Sequence, residues 1–226
     1  MFEFPALFKA EFVKRYKRFF TDVIKDGETI TVHNPNTGSM KNLLTEGNPV
    51  FCSVSDNPAR KLSCTLEAMC VNGEWLVVNT MVVNRIAESA INDGEIEELG
   101  SVSLCRREYS YDEARLDFYV ESDKGKFLIE VKNCTLYDEN TVMFPDAVTT
   151  RGKKHLEVLQ RAVREGYNAC MLYMCQVKRS AFRPAHEIDP AYAAEFEKAK
   201  SSGVQILVYY TDFDPEKGTV SLKKMV

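Results

Sequence analysis

The sequence has no long apolar run and no excess of positive charge. No stretch of its 226 residues approaches the roughly 18 apolar residues that a membrane-spanning helix needs. Acidic residues outnumber basic ones, 33 to 29, which gives a net charge of −4. The second absence excludes a nucleic-acid binder that works through overall basic charge, so any such binding must come from local patches. With 45% hydrophobic and 27% charged residues, the composition is typical of a soluble globular protein.

The seven cysteines include no C-x-x-C pair and no Cys/His grouping at zinc spacing. An odd number without such pairs predicts reduced thiols, mostly as small core residues. The opening residues M-F-E-F-P-A-L-F have too short an apolar run, and an acid too early, for a signal peptide. We therefore expect a soluble cytoplasmic protein with no membrane partner.

Short strands separated by turns fill residues 1–75, which we predict to form one domain. The predicted strands are 7–14, 16–24, 29–33, 50–55 and 62–71, with D-G, P-N-T-G-S, G-N-P and D-N-P sequences between them. Five short strands in about 70 residues fit a small barrel such as the OB-fold.

A cluster of basic residues occupies residues 9–18, where five of ten residues are Lys or Arg and one is acidic. Positive charge that follows phosphates, interleaved with aromatic faces for bases, is how small barrels hold single strands. The composition supports equally well a solvated basic edge above core aromatics. The candidate nucleic-acid-binding residues here are Lys14, Arg15, Tyr16, Lys17 and Arg18.

The segment H-N-P-N-T-G-S-M at 33–40 contains a second candidate for anion binding. In a tight turn, Asn36, Thr37 and Ser39 can present backbone N–H groups and hydroxyls to an anion. A plain connection between strands is at least as well supported by the sequence.

From Trp75 the pattern becomes that of an α/β domain, which we predict to span residues 76–226. The predicted elements are a helix capped by Asn79 or Thr80 and ending near 92–94, a hairpin at 113–132, a strand at Thr141–Phe144, a helix at 150–165, a buried strand at 169–177, a helix that Asp189 and Pro190 begin, and strands at 204–210 and 219–222. The main order that results is α-β-β-β-α-β.

The hairpin brings charged side chains to one face. Successive strand residues point to opposite faces, so Glu130 and Lys132 share a face roughly 6.6 Å apart, and Asp117 lies on the same face if the two strands pair. Two carboxylates and an ammonium beside a phosphate suit a Mg²⁺-dependent phosphodiesterase. The alternative is an ordinary opposite-charge pattern on the wet side of an amphipathic strand.

The second predicted helix begins with basic residues, which are unfavourable at a helix N-terminus. Arg151, Lys153, Lys154 and His155 crowd its first turns, where cations oppose the helix dipole. These basic residues could contact phosphate groups, or they could simply be exposed to solvent.

Several of these segments together resemble one family. They are N-P-N-T-G-S-M (34–40), N-P-A-R-K-L (57–62), N-R-I-A-E-S-A-I (84–91), A-R-L-D-F (114–118), I-E-V-K-N-C-T-L (129–136), F-P-D-A-V-T-T-R-G-K-K-H-L (144–156) and I-D-P-A-Y-A (188–193). In this order, over essentially the whole chain, they resemble the sugar fermentation stimulation protein A family.

The resemblance implies a mixed α/β architecture: an N-terminal OB-like barrel followed by a domain similar to PD-(D/E)xK nucleases. It also implies DNA binding and a link to sugar, particularly maltose, utilisation. By resemblance, Asp117 takes the place of the metal-binding aspartate, and Glu130 and Lys132 the place of E-x-K. Glu88 falls where such folds place an acid on the first helix, and His155 where some carry a polar residue on the second.

The sequence therefore predicts a cytoplasmic DNA-binding protein with little base specificity and a Mg²⁺- or Mn²⁺-dependent nuclease site. Asp117, Glu130 and the Val131 carbonyl would bind the metal, with Lys132 and Glu88 assisting catalysis. Arg60, Lys61 and Arg115, from the matched motifs, join the nucleic-acid-binding candidates. A non-catalytic DNA-binding regulator on a nuclease-like scaffold is the alternative, and a sugar enzyme ranks below both because no sugar site is visible. The sequence does not give the oligomeric state.

Overall fold

The computed structural model describes residues 1–40 and 43–225. Its first sheet is a six-stranded barrel in the order β4-β3-β2-β5-β6-β7, closed by a parallel pairing of β4 with β6. The strands are β2 (Leu7–Tyr16), β3 (Phe20–Lys25), β4 (Glu28–His33), β5 (Pro49–Val54), β6 (Cys64–Val71) and β7 (Glu74–Val77). Alternating residues such as Phe12, Val23, Val32 and Leu66 fill its interior. The OB-like barrel that the sequence predicts is confirmed.

One turn of the barrel differs from the prediction. Strand β2 continues to Tyr16, and the chain reverses at Lys17 and Arg18, whose φ angles of 47° and 64° are left-handed. A tight reversal with these angles usually contains glycine. Because Lys and Arg occupy these positions instead, the sequence does not predict a turn here. The reversal places two cations at the tip of a hairpin.

The second sheet has seven strands in the order β1-β16-β15-β13-β10-β9-β8. They are β1 (Phe2–Glu3), β8 (Val102–Tyr111), β9 (Ala114–Ser122), β10 (Gly125–Cys134), β13 (Asn168–Cys175), β15 (Gln205–Asp214) and β16 (Thr219–Lys224). The central β10, β13 and β15 run parallel, and the outer pairings are antiparallel. A mixed sheet of this kind is buried on both faces at its centre.

Three helices cover this sheet: α1 (Thr80–Asn92), α2 (Thr150–Arg164) and α3 (Pro190–Ser201). Apolar residues of α1 share a core with Phe118, Ile129 and Leu172 on one face. Residues of α2 and α3 share a core with the opposite face, which includes Leu128 and Met171. The predicted helices and the mixed α/β fold class are therefore confirmed, and none of the helices in the described residues is long and apolar enough to cross a membrane.

One predicted strand lies outside the large sheet. Thr141–Phe144 (β12) does not join the large sheet but lies in a three-stranded sheet between β11 (Leu136–Tyr137) and β14 (Ala181–Pro184). Strand β8, which precedes the hairpin and forms the edge of the large sheet, is not among the predicted strands. Most of β8 is exposed or half-buried and interrupted by the run R-R-E, so its alternating pattern is weak.

The division into residues 1–75 and 76–226 stays a prediction, and the strands do not separate cleanly there. Phe2 and Glu3 pair with Val220 and Thr219, so the first strand belongs to the C-terminal sheet. Strand β7 continues the barrel to Val77.

All seven cysteines are free thiols, as the sequence predicts.

Candidate functional site

The hairpin β9–β10 places Asp117 opposite Glu130. Phe118 pairs with Ile129, so the next residues on either side, Asp117 and Glu130, lie across from each other. Asp117 Oδ2 accepts a 2.8 Å hydrogen bond from the Val131 backbone N–H. Its Oδ1 accepts a 2.7 Å hydrogen bond from the Asn84 side-chain amide on α1. Both oxygens of Asp117 are thus oriented by the protein itself.

Glu130 is buried, with only 3% of its surface exposed. The solvent-facing charge pattern that the sequence also allows is therefore excluded for this residue. Its Oε1 accepts a 2.5 Å hydrogen bond from Lys132 Nζ and a short one from His155 Nδ1. Its Oε2 has no hydrogen-bond partner among the described residues. A buried carboxylate oxygen without a partner is costly, so it indicates that a further group binds there.

The contacts of His155 identify its tautomer. Nδ1 faces a carboxylate oxygen and so must carry a hydrogen, and Nε2 lies 3.3 Å from the Nε–H of Arg151, which makes it an acceptor. Lys132 Nζ, 3.4 Å from Nδ1, is a donor facing a donor and makes no hydrogen bond there. His155 thus links Arg151 on the surface to the buried carboxylate.

The two carboxylates have opposite pKa shifts. Burial, and then the charge of Glu130, raises the pKa of Asp117 to about 6. Burial would also raise the pKa of Glu130, but the attraction of Lys132 and the bond from His155 outweigh it and hold this pKa below the usual range. At neutral pH the site therefore contains two negative charges that repel each other.

The basic hairpin and the 33–40 segment meet in the structure. The Arg15 guanidinium donates to the carbonyls of Asn36 at 2.6 Å and Gly38 at 3.0 Å. Asn36 is buried, accepts from the Gly38 N–H and donates to the Val78 carbonyl. These two predicted binding residues hold the loop in shape through hydrogen bonds to its backbone.

The exposed part of this junction is an open cavity of about 470 Å³. Its lining includes Lys17, Arg18 and Thr37 together with Ala147, just ahead of α2. Ser39 binds Asp146 through its N–H at 3.0 Å, which joins the loop to the start of that helix. The basic tip of the barrel therefore lies beside the segment that leads to His155.

Aromatic and basic residues continue across the barrel. The rings of Tyr16 and Phe20 stack with centres 5.7 Å apart. Phe20 also lines a smaller cavity, of about 250 Å³, together with His33, Arg60 and Lys61. Two regions that are distant in the sequence thus form one surface that combines positive charge with aromatic rings.

The architecture agrees with comparisons to known proteins. The family model described as "Sugar fermentation stimulation protein RE domain" matches residues 81–217, and that of the "SfsA N-terminal OB domain" matches residues 13–78. The chain belongs to the sugar fermentation stimulation protein family.

Two relatives and one solved structure illustrate the likeness. The homolog from Pelagibacter ubique is 45% identical over 207 residues, covering 90% of this chain and 89% of the relative. The homolog from Shewanella halifaxensis is 44% identical over 220 residues, covering 94% of each chain. The structure of Pyrococcus furiosus SfsA in complex with Ca²⁺ superposes with a TM-score of 0.89 over 100% of this chain and 96% of that one. At 24% identity, this last likeness shows the shared fold.

In this sugar fermentation stimulation family member, the first helix contributes a residue that the sequence analysis missed. Glu88 pairs with Arg107 on β8 at 3.4 Å, whereas Asn84, one turn earlier, contacts Asp117 directly. The four-residue spacing puts both on one helical face, which was the available signal.

The other predicted cations differ in their surroundings. Lys14 pairs with Asp22 at 3.7 Å, Arg115 with Glu108 at 2.7 Å and Lys153 with Glu157 at 3.4 Å. Lys61 and Lys154 are exposed. Among the predicted cations, Lys17 and Arg18 at the hairpin tip, Lys61 on the barrel and Lys154 on α2 are therefore exposed to solvent.

Proposed function

We propose that this protein binds DNA and hydrolyses its phosphodiester bonds with Mg²⁺ or Mn²⁺ at Asp117 and Glu130. The observation that carries the proposal is the buried Oε2 of Glu130, which has no partner among the described residues and lies on the strand opposite a second, half-buried carboxylate. Two carboxylates that repel each other, one buried and one half-buried, are both stabilised by a divalent cation.

The donor set fits a hard cation that keeps several waters. Within residues 1–40 and 43–225, no three His, Cys, Asp or Glu side chains are grouped closely enough to hold a metal alone. Mg²⁺ needs only one or two carboxylates plus water or phosphate oxygens, and Asp117, Glu130 and the Val131 carbonyl would supply protein oxygens. The Ca²⁺ in the Pyrococcus furiosus relative is another oxygen-seeking cation and supports the same ligand chemistry.

The surrounding residues have separate roles in this reaction. When bound, the metal would polarise the phosphate and acidify a water molecule. The Lys132 ammonium, held beside Glu130, would stabilise the negative charge that develops on the phosphate oxygens. His155 is a positioning residue, because its bond to Oε1 leaves Oε2 of Glu130 for the cation. Asn84 and the Val131 N–H orient Asp117 in the same way.

DNA would be held mainly through its phosphates. Lys17 and Arg18 at the hairpin tip, and Arg60 and Lys61 beside Phe20, combine charge with stacking surface. Contacts of this kind read little sequence, so we propose weak base preference in the bulk of the interface and an affinity that falls with salt.

The test is cleavage of labelled single-stranded DNA, duplex DNA and RNA with Mg²⁺ or Mn²⁺. We expect product with wild type that disappears in Asp117→Asn and Lys132→Ala. Glu121→Gln is the matched control, since it makes an acid-to-amide change on the same strand at a residue bonded to Tyr119 instead of the site. Product that persists in both site variants would contradict the assignment.

A non-catalytic DNA-binding regulator of sugar metabolism is the second candidate. It is favoured by the contact of Lys132 with Glu130, which neutralises this carboxylate without a metal. This function predicts DNA binding that is unchanged in Glu130→Ala, and no product with any divalent cation.

A further inference from the structure

A separate cavity of about 530 Å³ lies between the barrel and α1, and Glu67 forms part of its wall. Glu67 is 4% exposed; Ser53 donates to its Oε1 at 2.6 Å and Asn79 to its Oε2 at 2.7 Å. A carboxylate offers about four acceptor positions, so each oxygen can still accept one more hydrogen bond. Nothing in the proposed cleavage reaction uses this buried acid.

Two arginines line the same cavity, and their positive charges attract Glu67 from beyond the distance of an ion pair. Arg60 donates to the Thr65 hydroxyl at 2.9 Å, and the Arg85 guanidinium lies 5.1 Å from the ring centre of Phe2. In the part of the chain that the structure describes, neither forms an ion pair with a carboxylate. Both guanidinium groups are therefore available to an anion, and guanidinium is well suited to phosphate.

The rim of the cavity is apolar and open to solvent. Val54 is 53% exposed and Met81 70% exposed, and both belong to the lining together with Phe4 and Val82. Large apolar side chains exposed beside a polar cavity are typical of a ligand-binding site, where they contact the flat part of the ligand.

We propose that this cavity binds one nucleotide, with its phosphate on Arg60 and Arg85, its base against the apolar rim, and an amino group of the base donating to Glu67. The three observations match three different chemical groups, and a nucleotide with an amino-bearing base contains all three. Carboxylates are the side chains that accept from the cytosine amino group.

The nucleotide has two sources with the same chemistry. His33 and Arg60 also line the neighbouring cavity that contains Phe20 and Lys61, so a nucleotide of a strand bound on the barrel can reach the site. A free mononucleotide can reach it as well. The strand source rests on the proposed DNA binding, whereas the site itself does not.

The first experiment measures binding of CMP, UMP and ribose 5-phosphate by calorimetry at pH 8. CMP has an amino group where UMP has a carbonyl, and only the amino group can donate to Glu67. We therefore expect wild type to bind CMP about ten-fold more tightly than UMP. Equal affinity for all three probes, or no binding at millimolar concentration, would overturn the proposal.

Two variants distinguish the contact of Glu67 with the base from the contact of Arg85 with the phosphate. Glu67→Gln can fold by accepting from Asn79 and donating to the Ser53 hydroxyl, and its amide suits either base, so the preference for CMP should fall to about two-fold or less. Arg85→Ala should weaken CMP and UMP to the same extent and keep the preference. A CMP preference that survives Glu67→Gln, or that disappears in Arg85→Ala, contradicts the assigned contacts.

The second experiment compares dC12 with dT12 on wild type and Glu67→Gln. A preference for dC12 that Glu67→Gln removes assigns the cavity to a nucleotide of a bound strand. If dC12 and dT12 bind equally while CMP is preferred over UMP, the ligand is a free nucleotide. If neither strand binds and CMP does, the proposed DNA binding fails and the nucleotide site stands.

Discussion

Asn84 of the first helix donates a 2.7 Å hydrogen bond to Asp117 of the large sheet. The contact fixes one oxygen of the candidate metal-binding carboxylate from a separate element, while the Val131 N–H fixes the other. Partners of this kind orient metal ligands and are themselves needed for full affinity.

Removing this contact should weaken the site without unfolding the protein. We expect Asn84→Ala to lower Mn²⁺ affinity and cleavage rate by about ten-fold or more, because Asp117 loses the donor that orients it. Calorimetry with Mn²⁺ measures the first quantity and a single-turnover cleavage assay the second. Ser89→Ala, which removes a contact to Asp93 on the same helix, is the matched control. Equal metal affinity in Asn84→Ala and the control would contradict the role of Asn84.

Replacing Asp117 should stabilise the metal-free protein above pH 6. The folded pKa of about 6 exceeds the ordinary value of 3.8, so ionisation of this carboxyl opposes folding, and the cost grows as pH rises through that range. Above pH 7 the cost is about 3 kcal/mol. Asp117→Asn removes it, and the Asn84 amide can rotate to pair with the new amide.

Urea unfolding in EDTA at pH 4.5 and pH 8 measures this effect. We expect Asp117→Asn to resemble wild type at pH 4.5 and to exceed it by about 2 to 3 kcal/mol at pH 8. Saturating Mg²⁺ should reduce or reverse this difference in the free energy of unfolding, because only wild type keeps both carboxylates. A variant that is less stable than wild type at pH 8 in EDTA would refute the raised pKa of Asp117.

His155 should set the lower pH limit of metal binding. Its Nδ1–H and Lys132 together hold the pKa of Glu130 low, against the effect of burial. His155→Ala removes one of these, so the pKa of Glu130 rises and Mn²⁺ binding, which needs the ionised carboxylate, shifts to higher pH. His155→Gln keeps a donor and should restore most of the wild-type profile. Profiles that coincide for wild type and His155→Ala would rule out this positioning role.

The hairpin tip should contribute salt-dependent affinity for nucleic acid. Lys17→Glu/Arg18→Glu is expected to weaken binding of a single-stranded oligonucleotide and to reduce the slope of log K against log salt by about 1 to 1.5, since two phosphate contacts are lost. Lys198→Glu/Lys200→Glu makes the same charge change on exposed positions of α3. Fluorescence anisotropy between 50 and 200 mM salt gives the slopes. An equal loss in both double variants would mean that only net charge matters.

Part of the fold could be predicted because its signals are local. Asn79 and Asp189 cap helices through bonds to residues two and three positions ahead, and both are recognisable in the sequence. The positions of Asp117 and Glu130 on one face follow from strand periodicity and a short turn. Strand β8 gave too weak a pattern, because an edge strand buries little of either face.

The amino-acid sequence by itself determined the family, the barrel followed by an α/β domain, and the pairing of two carboxylates with Lys132 on one hairpin. These features depend on residue order and on neighbours within a few positions. Only the tertiary structure decided that Glu130 is buried with one oxygen that has no partner in the described part of the chain, that Asn84 orients Asp117, and that Arg60, Glu67 and Arg85 line one cavity. Such contacts join elements that are distant in the sequence, and they exist only after the helices have packed against the sheets.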